Sequence, residues 1–166
     1  NMNSPVVIRY PKDVAERIVA SSSCIPLKLG TSEVLRKGKD VTILAVGSMV
    51  NVALEAADIL SKNNIEAGVI NARYLKPLDK GIIIKYANQT KKMFIVEENV
   101  ISGGFASSVL ELFSQENITG KDIKCYGLPD EFIEHGSRKE LLRKYNLTKE
   151  ALAEAIRTEI INEQKS

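Results

Sequence analysis

Glu97 and Glu98 are the residues of this 166-residue chain best suited by type to acid–base chemistry. They end the apolar run that starts at Lys92, and a strand exit can desolvate a carboxyl group and raise its pKa toward neutrality. Adjacent strand residues point to opposite faces, so the two carboxylates need not act together. A structural or interface role is the stronger expectation, with one glutamate paired to Arg73. His135 is the only histidine, and its ordinary pKa suits proton transfer near neutral pH. It has no Ser, Cys or second metal ligand at a spacing that would make a triad or a metal site. His135 is therefore expected to anchor the turn before a helix at Ser137. Gly103 and Gly104 precede another helix and can leave backbone N–H groups open to an anion. Tight packing of strand against helix is the reading preferred for that pair. None of these residues is expected to serve as a catalytic group, a cofactor-binding residue or a metal ligand.

The elements that must position these residues alternate. Val41–Val46 is a nearly continuous apolar run, the mark of a strand covered on both faces. A helix opens at Gly47-Ser48, with Val50, Ala53, Leu54, Ala57 and Leu60 at helical spacing, and ends at Asn63-Asn64. Ala67–Asn71 reads as a strand, Lys80–Ala87 as a helix started by Pro77 and Asp79, Lys92–Glu97 as a strand and Phe105–Phe113 as a helix. Asp122–Tyr126 is the next strand. Helices over Ser137–Tyr145 and Thr148–Asn162 carry capping patterns at Ser137/Glu140 and Thr148. Strand–helix alternation at this spacing predicts a mainly parallel sheet in a three-layer α/β/α sandwich. Before it, Leu27–Leu29 and Ser32–Arg36 are short extended pieces able to add an antiparallel edge. Pro5–Tyr10 reads as a further strand, Asp13–Ala20 as about two helical turns, and Ser21–Ser23 as a linker.

Composition narrows the function classes. With 23 basic and 21 acidic residues interspersed, the chain has no footprint for nucleic acid or an anionic membrane. No apolar run approaches the ~20 residues that span a bilayer, and no basic-then-hydrophobic leader is visible. Cys24 and Cys125 lack paired spacing and are expected to be reduced thiols of a cytoplasmic protein. A plastid-type organelle also fits a eukaryotic source. The strand exits carry no Gly-x-Gly-x-x-Gly or Gly-Lys-Ser/Thr cradle for a nucleotide.

Three stretches carry a more specific signal: Gly127–Leu142, which joins a strand exit, a turn and a charged helix start; Glu97–Phe105; and Asn71–Asp79. Together they resemble the C-terminal domain of the 1-deoxy-D-xylulose-5-phosphate synthases, thiamine-diphosphate enzymes of the transketolase superfamily. The resemblance runs from about Val6 to the last helix. It implies a transketolase C-terminal-like domain over residues 25–166, with residues 1–24 as the tail of a preceding pyrimidine-binding domain and a linker. It also implies a homodimeric parent that uses thiamine diphosphate and magnesium to condense pyruvate with glyceraldehyde 3-phosphate, with loss of carbon dioxide. Such a parent serves isoprenoid precursor, thiamine and pyridoxal biosynthesis.

Arg9-Tyr10-Pro11-Lys12 is similar to the Arg-Tyr-Pro-Arg-Gly segment in which the family's second arginine reaches the phosphate of the acceptor. Lys12 keeps the charge but loses the planar fork, and Asp13 stands where the family has glycine. Arg9 and Lys12 are thus substrate-phosphate candidates, while Arg73, Glu97, Glu98, Asp130 and His135 are structural or interface candidates. The family's Gly-Asp-Gly segment with its downstream asparagine is absent, so the chain alone is expected to bind no cofactor and turn nothing over. Its expected partners are the preceding domains and a second copy of the parent. The rival readings are the C-terminal domain of a transketolase or of a 2-oxoacid dehydrogenase β subunit, and a stand-alone α/β regulatory module. Gly127–Leu142 favours the synthase, and Arg9–Lys12 fits the tail of an upstream domain.

Overall fold

A computed structural model describes residues 5–10 and 26–163. Five strands, β1 (Glu33–Arg36), β2 (Val41–Ala45), β3 (Ala67–Asn71), β4 (Lys92–Val100) and β5 (Asp122–Leu128), form one sheet in the order β1-β3-β2-β4-β5. β3, β2, β4 and β5 run parallel, and β1 lies antiparallel on β3 with a register break between Val34 and Arg36. The antiparallel edge expected from Ser32–Arg36 is therefore present. Leu27–Leu29 belongs to no strand, and Leu27 and Leu29 are exposed. Pro5–Tyr10 likewise pairs with no described strand and is exposed throughout. Both pieces have strand-like composition, but a strand needs a ladder partner to satisfy its backbone. The helix, linker and domain boundary read between Lys12 and Cys24 lie outside the described residues.

Side-chain alternation assigns the two faces. Val41, Ile43, Ala45, Ala67, Val69, Phe94 and Val96 point to one side, where they meet α1 (Met49–Ser61) and α5 (Lys149–Glu163). Ala53, Ala56 and Ala57 give α1 a buried stripe of small side chains that lets it lie close on the sheet, with Leu152, Ala153 and Ile156 of α5 beside it. Leu44, Ile70, Met93 and Ile95 point the other way, onto α2 (Lys80–Gln89) and α3 (Phe105–Gln115). The architecture is the three-layer α/β/α sandwich expected. Thr42 faces the second side among apolar groups, and its hydroxyl bonds that of Thr90 at 3.0 Å. Thr90 in turn donates toward the Tyr86 or Lys92 carbonyl, so the buried pair is satisfied.

Local chemistry fixes where the helices start. The Asp79 carboxylate accepts from Ile82 N–H at 3.1 Å, capping α2, and from Ser32 N–H at 2.7 Å, tying that cap to the approach of β1. Ser137 and Glu140 form a reciprocal capping box on α4 (Arg138–Lys144). Thr148 Oγ1 accepts from Ala151 N–H at 3.3 Å at the start of α5. β4 and β5 run past their expected ends, to Val100 and Leu128, because the two strands resume pairing at Val100 opposite Leu128 after an irregularity.

Phe94 is fully buried and packs on the Tyr126 ring at a centroid distance of 6.1 Å. Phe94→Ala is expected to lower stability by about 3–5 kcal/mol, read from the midpoint of urea unfolding at an unchanged slope. A loss below about 1 kcal/mol would show that the face shared with α1 and α5 is loosely packed.

Candidate functional site

The strand order reverses between β2 and β4: α1 leaves β2 on one face and α3 leaves β4 on the other. Open parallel sheets bind ligands at such a switch point, beyond the carboxyl ends of the strands. Glu97 and Glu98 stand at that place, and alternation sends them to opposite faces as the sequence predicts.

Glu97 is 2% exposed. Its carboxylate accepts from the N–H groups of Phe105 and Ala106, both at 2.8 Å, so it occupies the N-terminus of α3. Unsatisfied N–H groups and the helix dipole make that position favourable for an anion. Gly104 makes room for it. A Cβ there would stand 2.2 Å from the Val100 carbonyl oxygen and 2.6 and 2.8 Å from the two Glu97 oxygens. The tight-packing reading of Gly103-Gly104 thus describes Gly104, and the anion expected as its alternative is supplied by the chain itself.

Glu98 turns to the other face. It accepts a short hydrogen bond from Ser48 Oγ at the start of α1 and a bidentate pair from Arg138, at 2.6 Å from Nε and 2.5 Å from Nη2. The planar fork of arginine matches a carboxylate in this geometry. One glutamate on β4 thereby joins the first residue of α4 to the loop that opens α1. Ser48 and Arg138 are the functional partners that spacing did not find, because they lie 50 and 40 residues from Glu98 in sequence.

The remaining candidates lie elsewhere. Arg73 pairs with Glu33 at 2.5 Å rather than with Glu97 or Glu98. β1 places Glu33 opposite Asn71, two residues from Arg73, and Asn71 Oδ1 accepts from Arg73 N–H at 3.0 Å, holding a backbone with φ of 57°. His135 is exposed and bonds to no described residue, so it does not anchor its turn. The capping box does, helped by Lys144 on Glu134 at 2.8 Å and by Tyr145 Oη on Glu131 at 3.3 Å. Asp130 and Arg9 are exposed. Lys12 lies outside the described residues. Two open grooves, of 630 Å³ beside Lys39, Lys91 and Arg157 and of 420 Å³ beside Asn88 and Thr119, border the amino ends of the strands, away from the glutamates.

Residues 30–152 match the family of the transketolase C-terminal domain. The chain belongs to that family. Similar proteins include the 1-deoxy-D-xylulose-5-phosphate synthases of Pelotomaculum thermopropionicum, 47% identical over 92% of this chain and 24% of that protein, and of Desulforudis audaxviator, 44% identical over 87% and 23%. The chain spans about a quarter of the length of the curated relatives it matches. Among solved structures, a split-gene transketolase described as an inactive tetramer is 35% identical, with a TM-score of 0.75 over 82% of this chain and 44% of that one. A transketolase mutant from Pichia stipitis shares the fold at 19% identity, with a TM-score of 0.57 over 82% of this chain and 19% of the mutant.

In this transketolase C-terminal domain the carboxylates at the switch point are already committed, Glu97 to a helix terminus and Glu98 to Ser48 and Arg138. Among the described residues no cluster of three or more His, Cys, Asp and Glu is placed to share a metal ion. Cys125 on β5 is half-buried. Burial first, and the charge of Glu97 second, push its thiol pKa up.

Glu97→Ala leaves two buried N–H groups without an acceptor and is expected to cost about 3 kcal/mol or more; Gly104→Ala, by overpacking, is expected to cost on the order of 3 kcal/mol. Urea titration of each variant measures both, and a change under about 0.5 kcal/mol in Glu97→Ala would remove the carboxylate from its assigned place. In a Cys24→Ser background, alkylation of Cys125 by iodoacetamide should rise with pH about a midpoint above the ordinary cysteine range. Glu97→Gln should lower that midpoint only part of the way, since burial is the larger cause.

Proposed function

We propose that the chain is the C-terminal portion of a 1-deoxy-D-xylulose-5-phosphate synthase, the enzyme that condenses pyruvate with glyceraldehyde 3-phosphate and releases carbon dioxide. The observation that carries this reading is the identity of 40 to 47% to several synthases over most of the chain. A transketolase is the weaker reading, at 35% identity to the split-gene protein. The products of the parent would feed isoprenoid precursor, thiamine and pyridoxal biosynthesis, and its place would be the cytoplasm. Among the described residues no helix is long and apolar enough to cross a membrane.

Within such a parent this domain is a brace. Thiamine diphosphate supplies the electron sink for the two-carbon unit left by pyruvate, and its diphosphate needs a metal ion and an anion cradle. The residues described here do not fit that group. The helix N-terminus at the switch point already holds the Glu97 carboxylate, and a diphosphate there would meet a buried negative charge. Cofactor and magnesium therefore belong to the remaining three-quarters of the parent. The isolated chain has no turnover of its own. Its work is to hold a rigid sheet against the catalytic portion and to extend the contact between two copies of the parent. Arg9 and Lys12, ahead of the sandwich, would reach toward the acceptor phosphate from the preceding domain, with Lys12 as a point charge.

The test is product formation. The full-length parent, given pyruvate, glyceraldehyde 3-phosphate, thiamine diphosphate and magnesium, should release carbon dioxide and form 1-deoxy-D-xylulose 5-phosphate; the 166-residue chain under the same conditions should form none. Product from the chain alone would overturn the bracing role. A parent that leaves pyruvate untouched and transfers a ketol unit between sugar phosphates would overturn the synthase assignment.

A further inference from the structure

Beyond the switch point, the loop from Pro129 to Gly136 links β5 to α4. Phe132 at its tip is 106% exposed. A singly exposed apolar residue is ordinary; what sets this one apart is the way its loop is held. On the β5 side, Ile101 N–H donates to the Leu128 carbonyl at 3.1 Å. On the α4 side, Arg138 forks onto Glu98 and the capping box closes the helix start. Between these anchors, Glu131 and Glu134 are tied back to Tyr145 and Lys144, and Leu141 packs against Gly136, with its Cδ2 3.4 Å from where a Cβ would stand. The loop lacks regular secondary structure, yet it is held at both ends and at Glu131, Glu134 and Gly136, and it presents an aromatic ring to solvent.

We propose that this loop is a preformed docking element, and that Phe132 seats in an apolar socket with a basic rim on the catalytic portion of the parent polypeptide. The inference rests on the synthase reading given above. A fastened loop loses little conformational freedom on docking, and a central aromatic knob is the usual anchor of such contacts. Asp130 and Glu131, both exposed, immediately precede Phe132 in sequence, while Glu134 is already paired with Lys144, so the surface complementary to the two acids carries lysine or arginine. That charge also argues against a second copy of this loop as the occupant, since a two-fold axis through Phe132 would bring like charges together. The upstream polypeptide is available for the role, because the matched relatives are about four times as long as the segment they share with this chain.

Hydrogen exchange read by mass spectrometry tests the proposal on the full-length parent and on the 166-residue chain. Amides of residues 130–135 are expected to exchange about tenfold more slowly, or better, in the parent. Phe132→Ser should abolish that difference while leaving the urea midpoint of the 166-residue chain unchanged. Equal exchange in the two proteins overturns the docking. Equal protection in the 166-residue chain, at concentrations where it sediments as a dimer, assigns the loop to a second copy and also overturns it. A fall in the midpoint of Phe132→Ser would place the ring within the domain and would likewise overturn the docking. Product formation by the parent is measured separately, so a failed docking and a failed synthase assignment are distinguishable.

Discussion

A buried carboxylate at the start of a helix is the constraint on which the rest of this domain depends. Glu97 ends the apolar part of β4 and supplies the negative charge that the N-terminus of α3 requires. That contact ties the first turn of α3 to β4. It forces glycine at 104, where any side chain would meet the carboxylate and the Val100 carbonyl, and it adds to the raised pKa of the neighbouring Cys125 thiol. The place where related sheet architectures commonly receive a ligand is thus sealed by a group from within.

Its neighbour does for the opposite face what Glu97 does for the first. Glu98 gathers α1 and α4 through a hydroxyl and a guanidinium, both only partly screened from water. Charge-assisted hydrogen bonds of this kind are stronger than neutral ones. Two successive residues of one strand thereby organise both helical layers and leave the polar crevice between them internally satisfied.

Much of the fold was legible because its strands are apolar runs bounded by turn residues. Val41–Val46 and Lys92–Glu97 carry the pattern of a doubly covered strand, and Ser137 with Glu140 announces a helix start. Composition failed at Pro5–Tyr10 and Leu27–Leu29, where β-branched or apolar residues lack a neighbouring strand. The site was legible in half. Alternation correctly separated Glu97 from Glu98, but the partners of Glu98 lie far away in sequence and meet it only once the sheet is assembled. Arg73 was matched to the wrong acid for the same reason: its true partner, Glu33, is brought near by the antiparallel register of β1, which no spacing rule encodes. His135 drew attention as a lone titratable group, and its surroundings give it nothing to hold.

The two margins of the sheet are guarded differently. β1 is four residues long, breaks register at Arg36 and carries Glu33 and Arg36, each engaged in an ion pair. β5 is longer, but Lys124 and Asp122 stud it with charge, and Lys124 reaches across to Glu159 of α5. Strand margins that are short, irregular or charged resist pairing with a foreign strand. Lateral growth of this sheet into a neighbouring molecule is therefore disfavoured on both sides.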